Sequence, residues 1–247
     1  MKQMDSNQLK KLSYTDLKTI ASEMEIEIPK SKNELIEIMI ECFKKWEKYK
    51  KGLEKYKKII QLGNKGKEGV TFLVETPEGE RYAMKSFKKN KSSDKLRLEA
   101  RLQQLAAKEG ISPKVVDVDT VSKFIVMEKL DKHLIDVMKS QGGNLTEIQQ
   151  KQIFKIYKAL DKAKVFHGDS NILNYMYKNR KLYIIDFGMS KEIDDKLINK
   201  LKTSTPNVEL MNLGFVLKLK ELNCPETAYS YLLAQISQEN KVKYGLQ

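Results

Sequence analysis

Apolar residues recur at helical spacing in the first part of the chain. One stripe comprises Leu9, Leu12, Leu17 and Ile20, and a second comprises Leu35, Ile36, Met39, Ile40 and Phe43. Pro29 lies between the stripes and should break any helix there. We therefore expect two short helices over residues 9–43, with Ser13 and Asp16 resembling a helix N-terminal cap.

The apolar pattern changes at Ile59. Short apolar runs bounded by turn residues predict strands at 60–63, 70–74, 81–85, 114–118 and 124–127. A helix is predicted over 93–108. The rest is mainly helical, at 146–164, 194–202, 206–222 and 225–235, with a strand pair near 175–177 and 181–185. This order predicts an α+β fold of two lobes.

The charge is strongly positive, with a formal net value of +13 that comes almost entirely from lysine. Such a charge favours anionic partners, nucleic acid among them, but does not bear on the fold. Residues 44–58 concentrate lysines between Trp46, Tyr49 and Tyr56, and we interpret them as a basic linker. The linker should be helical, although Gly52 weakens that expectation.

The sequence predicts neither a secretory nor a membrane protein. Cys42 and Cys224 are far apart, and His133 and His167 are too isolated to complete a metal-binding pattern. A reducing compartment is the simplest interpretation. No signal-like or membrane-spanning stretch is present, so we expect a soluble intracellular protein in the cytoplasm or nucleus.

Three glycines and a lysine suggest phosphate binding, although each has a simpler explanation. Gly63, Gly66 and Gly69 lie between two predicted strands, where turn glycines are common. Lys85 ends an apolar strand and would hold nucleotide phosphates if a helix glutamate oriented it. Glu99 is the candidate partner. Taken alone, Glu99 is better explained as a solvated helix charge.

Two motifs in the second half carry the stronger signal. In Val165-Phe166-His167-Gly168-Asp169-Ser170-Asn171-Ile172-Leu173-Asn174, the second asparagine follows the aspartate by five positions. That spacing suits a catalytic base followed by a metal ligand. Asp186-Phe187-Gly188 follows a short apolar strand and would supply a second metal ligand, since Mg²⁺ prefers oxygen ligands. His167 should serve packing and hydrogen bonding only.

With these motifs in place, residues 59 to about 235 resemble the protein kinase superfamily, and in particular its compact atypical members, the RIO kinases and the KEOPS-complex kinases. The resemblance implies a two-lobed protein-kinase-like fold, with an antiparallel sheet plus helix as N-lobe and a reduced helical C-lobe, preceded by a small helical domain. The implied domains are 1–43, a linker over 44–58, an N-lobe and hinge over 59–130, and a C-lobe over 131–247.

The resemblance also implies ATP and Mg²⁺ or Mn²⁺ as cofactors. Asp169 would be the catalytic base and Lys85 the phosphate-binding lysine, oriented by Glu99. Asn174 and Asp186 would hold the metal, and Gly63, Gly66 and Gly69 would cover the γ-phosphate. The backbones of Glu128 and Leu130 would hold adenine, with Met127 as gatekeeper. The implied activity is serine/threonine protein kinase.

The chain departs from the kinase pattern in several places. Asn171 stands where many protein kinases have a lysine, which implies a lower rate or a cation supplied by a partner. Only a short stretch joins Gly188 to Pro206, no Ala-Pro-Glu motif is present, and the catalytic loop lacks its usual arginine. These absences argue against control by activation-loop phosphorylation. Glu209 lies where the central C-lobe helix usually carries an aspartate.

Residues 12–40 resemble a SAP-type helix–extended–helix module, on Leu17-Lys18, Ile28-Pro29 and Lys32-Asn33-Glu34-Leu35-Ile36. Such modules commonly bind DNA, and Lys30, Lys32 and the 44–58 segment would contact phosphates. A small packing domain with a solvated lysine face is the alternative. Large DNA viruses carry similar lysine-rich kinases, which suggests a viral source and, in that case, a place in the virion.

Three other functions stay open at this point. A small-molecule phosphotransferase shares the His-Gly-Asp pattern but usually carries a larger helical insert for its substrate. A partner-dependent ATPase follows from the KEOPS-type resemblance. A nucleotide-binding pseudokinase scaffold is disfavoured because Lys85, Asp169, Asn174 and Asp186 are all present. The substrate, the oligomeric state and the regulator are not indicated by the sequence.

Overall fold

The computed structural model describes residues 4–63, 66 and 68–246, and for residues 48–51 and 53 it describes the backbone only. The chain divides into two compact units. The first comprises the chain up to Lys57 together with Thr76–Glu78, and the second comprises the remainder.

Three helices form the first unit: α1 (Ser6–Lys11), α2 (Tyr14–Glu23) and α3 (Lys32–Glu54). They enclose a small apolar core of their own, made of Leu9, Leu17, Ala21, Leu35, Ile36, Met39 and Phe43. A core of this kind explains the two apolar stripes in the sequence, since each helix turns its stripe inward.

The first predicted helix is in fact two helices, so that prediction was wrong. The backbone is extended at Leu12 and Ser13, and the Ser13 side chain accepts a hydrogen bond from the Asp16 backbone N–H. A serine in this position begins a new helix because it satisfies a backbone donor that would otherwise lack a partner. The cap that the sequence predicted therefore lies inside the segment predicted to be one helix.

Helix α3 continues through Gly52 and across the predicted boundary between residues 43 and 44. A single glycine costs a helix only about 1 kcal/mol relative to alanine, so a long helix tolerates it. The domain boundaries proposed from the sequence remain predictions. The side chains of Lys48, Tyr49, Lys50 and Lys51, which belong to the predicted basic segment, lie outside the described part of the chain.

The second unit begins with a sheet and one helix: β1 (Lys57–Leu62), β2 (Gly69–Glu75), β3 (Arg81–Phe87), α4 (Ser93–Lys108), β4 (Val115–Asp119) and β5 (Phe124–Glu128). The strand order is β1-β2-β3-β5-β4. The described pairings, β2 with β3 and β5 with both β3 and β4, are antiparallel. Helix α4 packs on the sheet through a cluster made of Phe87, Leu96, Ala100, Ile125 and Met127.

The second part of this unit is mainly helical. Its helices are α5 (Leu134–Ser140), α6 (Glu147–Lys162), α7 (Asp195–Leu201), α8 (Asn212–Glu221), α9 (Ser230–Ala234) and α10 (Gln238–Lys243). Short strands lie among them: β6 (Lys132–His133), β7 (Val165–Phe166), β8 (Tyr175–Lys178), β9 (Lys181–Ile184) and β10 (Lys191–Glu192). A π-helical turn, Asn207–Met211, leads into α8.

Helix α6 lies at the centre of this helical part. It begins at a capping box formed by Thr146 and Gln149, at the start of the helix that the sequence predicts over 146–164. The Tyr157 hydroxyl lies 2.8 Å from the Tyr175 hydroxyl in the fully buried core. The order of strands and helices described above confirms the predicted α+β class and the division into a sheet-containing and a helical lobe.

Several short elements were not predicted, namely β6, β7, β10, α5 and α10. Two-residue strands are too short to show an alternating pattern, so the sequence carries no signal for them. Within the described residues, no helix has the length and apolar character that crossing a membrane requires.

Gly69 is required by the sheet. A Cβ atom built on Gly69 would lie 2.1 Å from the backbone oxygen of Ser86 on β3, whereas one built on Gly66 would meet nothing closer than 3.5 Å. We expect Gly69→Ala to lower the free energy of unfolding by about 2 kcal/mol, because the β2–β3 pair must separate to admit the methyl group.

Urea unfolding followed by circular dichroism measures the effect of Gly69→Ala, with Gly66→Ala as the matched control. Equal losses of stability in the two variants would contradict the steric explanation.

Candidate active site

Lys85 lies between two carboxylates. Its Nζ is 2.6 Å from Glu99 Oε1 on α4 and 2.7 Å from Asp186 Oδ1, which follows β9. The Glu99 side chain is 2% exposed and that of Asp186 is 50% exposed. The structure therefore brings together three residues that the sequence singled out, and it favours the ion-pair interpretation of Glu99 over a solvated helix charge.

The electrostatics of this cluster keep Lys85 and Asp186 charged. Burial alone would lower the pKa of Lys85, but the Glu99 and Asp186 carboxylates outweigh it, and the pKa is raised. Burial alone would raise the pKa of Asp186, but Lys85 outweighs it, and the pKa is lowered. Since one pKa is raised and the other lowered, the pair stays charged over a wide range around neutral pH.

The predicted catalytic loop, residues 167–174, is shaped by a glycine and a buried histidine. Gly168 has φ +78°, a conformation that favours glycine and suits its place in His167-Gly168-Asp169. The two His167 ring nitrogens lie 3.1 Å from the Asp169 carbonyl oxygen and 3.0 Å from that of Ile185. Burial lowers the pKa of His167, and its ring packs edge-on against Phe187. The predicted packing and hydrogen-bonding role of His167 is confirmed.

Asp169 and Asn174 are held by the same loop. Asp169 Oδ1 accepts a hydrogen bond from the Asn171 backbone N–H at 3.1 Å. The Asn174 amide donates to the Asp169 carbonyl oxygen at 3.4 Å, and the backbone oxygen of Asn174 accepts from the Ile185 N–H at 2.8 Å. These bonds place the side chain of Asn174 beside the turn that carries Asp186.

The oxygen atoms of Asn174 and Asp186 suit a magnesium ion. Asn174 is buried, its amide nitrogen is engaged with the loop, and an amide oxygen and a carboxylate are ligands that Mg²⁺ accepts. The part of the chain that the structure describes contains no cluster of three or more His, Cys, Asp or Glu side chains that could hold a metal. Mg²⁺ usually completes its coordination with water and nucleotide phosphates, so two protein ligands fit it.

Asp186 also has an unusual backbone. Its φ is +68° and ψ +74°, a left-handed conformation that non-glycine residues seldom adopt. Its carboxylate accepts a hydrogen bond from the Gly188 N–H at 3.4 Å in addition to the bond from Lys85. Such backbone strain persists only where the surroundings fix it, and it is common at functional sites.

The residue that anchors the catalytic loop was missed by the sequence analysis. Asn207 Oδ1 accepts a hydrogen bond from the His167 backbone N–H at 3.0 Å, and Asn207 Nδ2 donates to Val165 O at 2.8 Å and Asp161 Oδ1 at 2.6 Å. Asp161 further accepts from the backbone N–H groups of Asn207 and Val208. Burial raises the pKa of Asp161, and these hydrogen bonds only partly offset it.

The prediction that Glu209 occupies the position of the usual aspartate therefore needs correction. Glu209 Oε1 accepts hydrogen bonds from the hydroxyls of Thr203 and Thr205, whereas Asn207 reaches the catalytic loop. The π-helical turn that begins at Asn207 explains the difference, because a π-turn changes which side chains face the neighbouring strand.

Parts of the predicted glycine loop and hinge can also be placed. Gly63 has φ +69°, and Gly66 N–H donates to Gly69 O at 2.9 Å. At the hinge, the Glu128 N–H donates to the Lys114 carbonyl at 3.0 Å, so adenine would have to use the Glu128 carbonyl. Leu130 is buried, and Met127 packs toward α4 with its sulfur 3.4 Å from Gln103 Nε2. Their nucleotide contacts remain predictions.

Comparison with known proteins shows a family match and several relatives. Residues 75–202 match the family model of the RIO domain. An Archaeoglobus fulgidus protein named probable serine/threonine-protein kinase BUD32 homolog is 26% identical over 156 residues, which cover 58% of this chain and 75% of that protein. The RIO domain is kinase-like, so the predicted two-lobed kinase-like fold is confirmed.

Two further relatives have another name, probable bifunctional tRNA threonylcarbamoyladenosine biosynthesis protein. The one from Methanocorpusculum labreanum is 28% identical over 157 residues, covering 58% of this chain and 28% of that protein. The one from Methanobrevibacter smithii is 35% identical over 148 residues, covering 58% and 26%. The chain thus spans only about a quarter of the length of these two relatives.

The contacts of Asn207 yield a prediction for stability. Asn207→Ala should lower the free energy of unfolding by about 2–3 kcal/mol, because it leaves the His167 N–H, the Val165 carbonyl and the Asp161 carboxylate short of buried partners. Asn207→Asp should be at least as damaging, since its carboxylate would face that of Asp161, and adding Asp161→Asn should recover part of the loss.

Urea unfolding measures these stabilities, and amide hydrogen exchange at His167 reports the anchor itself. Glu209→Ala is the control, with its loss expected to stay below about 1 kcal/mol because it removes only exposed or half-buried hydrogen bonds. If Glu209→Ala accelerated exchange at His167 more than Asn207→Ala did, the assignment of the anchor would be wrong.

Proposed function

The chain belongs to the RIO-domain family, and on that basis we propose that it is an ATP-dependent serine/threonine protein kinase that transfers the γ-phosphoryl group to a protein hydroxyl. The observation that carries the proposal is Lys85, held at 2.6 Å from Glu99 and 2.7 Å from Asp186. That pairing between strand and helix is the arrangement that positions nucleotide phosphates in protein kinases.

Each side chain of the site has a distinct role in the proposed reaction. Lys85, fixed by Glu99, binds the α- and β-phosphates. Asp169 orients the substrate hydroxyl and accepts its proton. Asn174 and Asp186 hold Mg²⁺ or Mn²⁺, which supplies charge neutralisation on the phosphates when bound. Most of the rate enhancement then comes from positioning and from stabilisation of charge by groups that are already in place.

The short segment after the Asp186 turn supports a protein acceptor over a metabolite. The chain from Ser190 to Pro206 contains only the two-residue strand β10 and the short helix α7, with no large helical insert to enclose a small molecule. An ATPase that serves a partner complex is the second candidate, and the tRNA-modification names of two relatives favour keeping it in the test.

Phosphoryl transfer from labelled ATP tests the proposal directly. Wild-type protein with Mg²⁺ should label a basic or acidic protein acceptor. Asp186→Asn and Asp169→Asn should each lower kcat/KM at least about 100-fold, since each removes a charge that the transition state requires. Chelation of the metal should abolish labelling. Lys151→Met, on the exposed face of α6, is the matched control and should leave the rate unchanged.

The other outcomes separate the rival functions. Phosphate release without a labelled protein would indicate an ATPase, and a labelled metabolite would indicate a small-molecule phosphotransferase. Binding of ATP without turnover in any condition would leave a pseudokinase scaffold. Each of these results would overturn the protein kinase assignment.

We further propose that the first unit tethers the protein to DNA. Its three helices share a separate core, and Lys10, Lys18, Lys30 and Lys44 are exposed on the unit. Lys32, also expected at the DNA surface, instead donates to the Lys10 carbonyl at 3.3 Å and contributes to the fold of the unit. The SAP-like resemblance of residues 12–40 supports the choice of DNA.

Fluorescence anisotropy with duplex DNA tests the tether. Replacing Lys30 and Lys44 by Gln should weaken binding by the full chain and reduce the slope of log K against log salt by about one for each DNA phosphate that is no longer neutralised. Lys196→Gln, an exposed lysine on α7, is the control. Equal effects of all three substitutions would indicate a diffuse charge effect, and tighter binding to tRNA than to duplex DNA would reassign the partner.

A further inference from the structure

The side chain of Lys91 is buried between two carboxylates. Lys91 lies in the turn that joins β3 to α4, and its side chain is only 9% exposed. Its Nζ is 2.7 Å from Glu68 Oε2 and 3.1 Å from Glu99 Oε2. The ammonium also lies 5.1 Å from the centre of the Phe87 ring, on which Lys85 packs at 5.0 Å.

Glu99 therefore serves two lysines, one with each oxygen. Oε1 accepts from Lys85 and Oε2 accepts from Lys91. A carboxylate that is 2% exposed is costly unless paired, and Lys85 alone must also serve Asp186. The second ammonium thus helps to balance the buried charge, and it fixes the Glu99 carboxylate from the side opposite Lys85.

Glu68 brings the glycine loop into this network. Its backbone oxygen accepts a hydrogen bond from the Lys88 N–H at 3.0 Å, and it lies directly before Gly69 at the start of β2. Its carboxylate packs against the turn after β9, since a Cβ atom built on Gly188 would lie 2.7 Å from Glu68 Oε2. A loop carboxylate so close to Asp186 would repel nucleotide phosphates unless a cation held it.

Charges of opposite sign alternate along the whole network. They run from Glu68 through Lys91, Glu99 and Lys85 to Asp186. The network joins three separate parts of the site: the glycine loop, helix α4 and the metal-binding turn. Lys91 is the link between the first two, and it belongs to none of the motifs that the sequence analysis identified.

We propose that Lys91 is a positioning residue that fastens the glycine loop to helix α4 and draws the Glu68 carboxylate away from the nucleotide phosphates. The inference rests on the proposed phosphotransferase function. Lys91 does not contact the reacting atoms. It acts through Glu68, which leads directly into β2, and through Glu99, which orients Lys85.

Steady-state kinetics and hydrogen exchange on the full chain test the proposal. Lys91→Met should raise KM for ATP about tenfold while kcat changes less than about threefold, because ground-state binding depends on the loop. In the nucleotide-free protein, the backbone amides of the β1–β2 loop should exchange faster. Lys91→Arg, which keeps the charge, should recover most of both properties.

A double-mutant cycle identifies the partner. Glu68→Gln should also accelerate loop exchange, and Glu68→Gln with Lys91→Met should exchange no faster than Lys91→Met alone, because both variants break the same ion pair. Lys95→Met is the matched control, since the ammonium of Lys95 forms no ion pair with any residue whose side chain the structure describes. Additive effects, or unchanged exchange and KM in Lys91→Met, would overturn the proposal.

The experiments distinguish failure of the proposed phosphotransferase function from failure of the proposed role of Lys91. If wild-type protein neither binds nor turns over ATP, the proposed function fails, and the exchange data on nucleotide-free protein still decide whether Lys91 fastens the loop. If Lys91→Met does not fold, Glu68→Gln carries the test, because Glu68 is 44% exposed and its amide replaces the carboxylate at equal size.

Discussion

The carboxylate of Glu99 is almost fully withdrawn from water, and a buried charge persists only where partners compensate it. Those partners come from different parts of the chain. Lys85 lies on β3 and Lys91 in the following turn, while Lys85 also reaches Asp186 beyond β9. The need to compensate the charge of this one side chain thus ties α4, β3 and the turn that carries Asp186 to a single geometry.

A second buried hydrogen-bond network holds the catalytic loop. In this network the residue that contacts the loop is uncharged, and the charged residue lies behind it. Asn207, which is uncharged, contacts the loop, whereas the carboxylate lies one step further away on Asp161. The amide can accept from His167 and donate to Val165 at once, which a carboxylate could not do. His167 in turn joins this network to the Asp186 turn through the Ile185 carbonyl.

Site residues that belong to motifs with a fixed spacing could be identified from the sequence alone. Asp169, Asn174 and Asp186 belong to short motifs, and Lys85 and Glu99 lie on regular elements whose direction was predictable. Asn207 was missed because Glu209 was assigned by resemblance to the central helix of the kinase C-lobe, whereas the chain enters that helix through a π-helical turn that begins at Asn207. Lys91 lies in an irregular turn, where no periodicity points its side chain inward. The break at Leu12 was signalled by the Ser13 cap, but the apolar spacing continued across it and led to the prediction of a single helix.

Arg101 on α4 lies 2.6 Å from Glu192 on β10, so the helix is joined to the strand that follows the Asp186 turn as well as to Lys85. Outward movement of α4 would break both ion pairs. A conformation with the helix displaced should therefore be sparsely populated. The apparent affinity of a ligand that requires this conformation is reduced by the fraction of molecules that adopt it. For the choice of chemical probes, compounds that fit the nucleotide cleft with the helix in place have an advantage over those that bind behind a displaced helix.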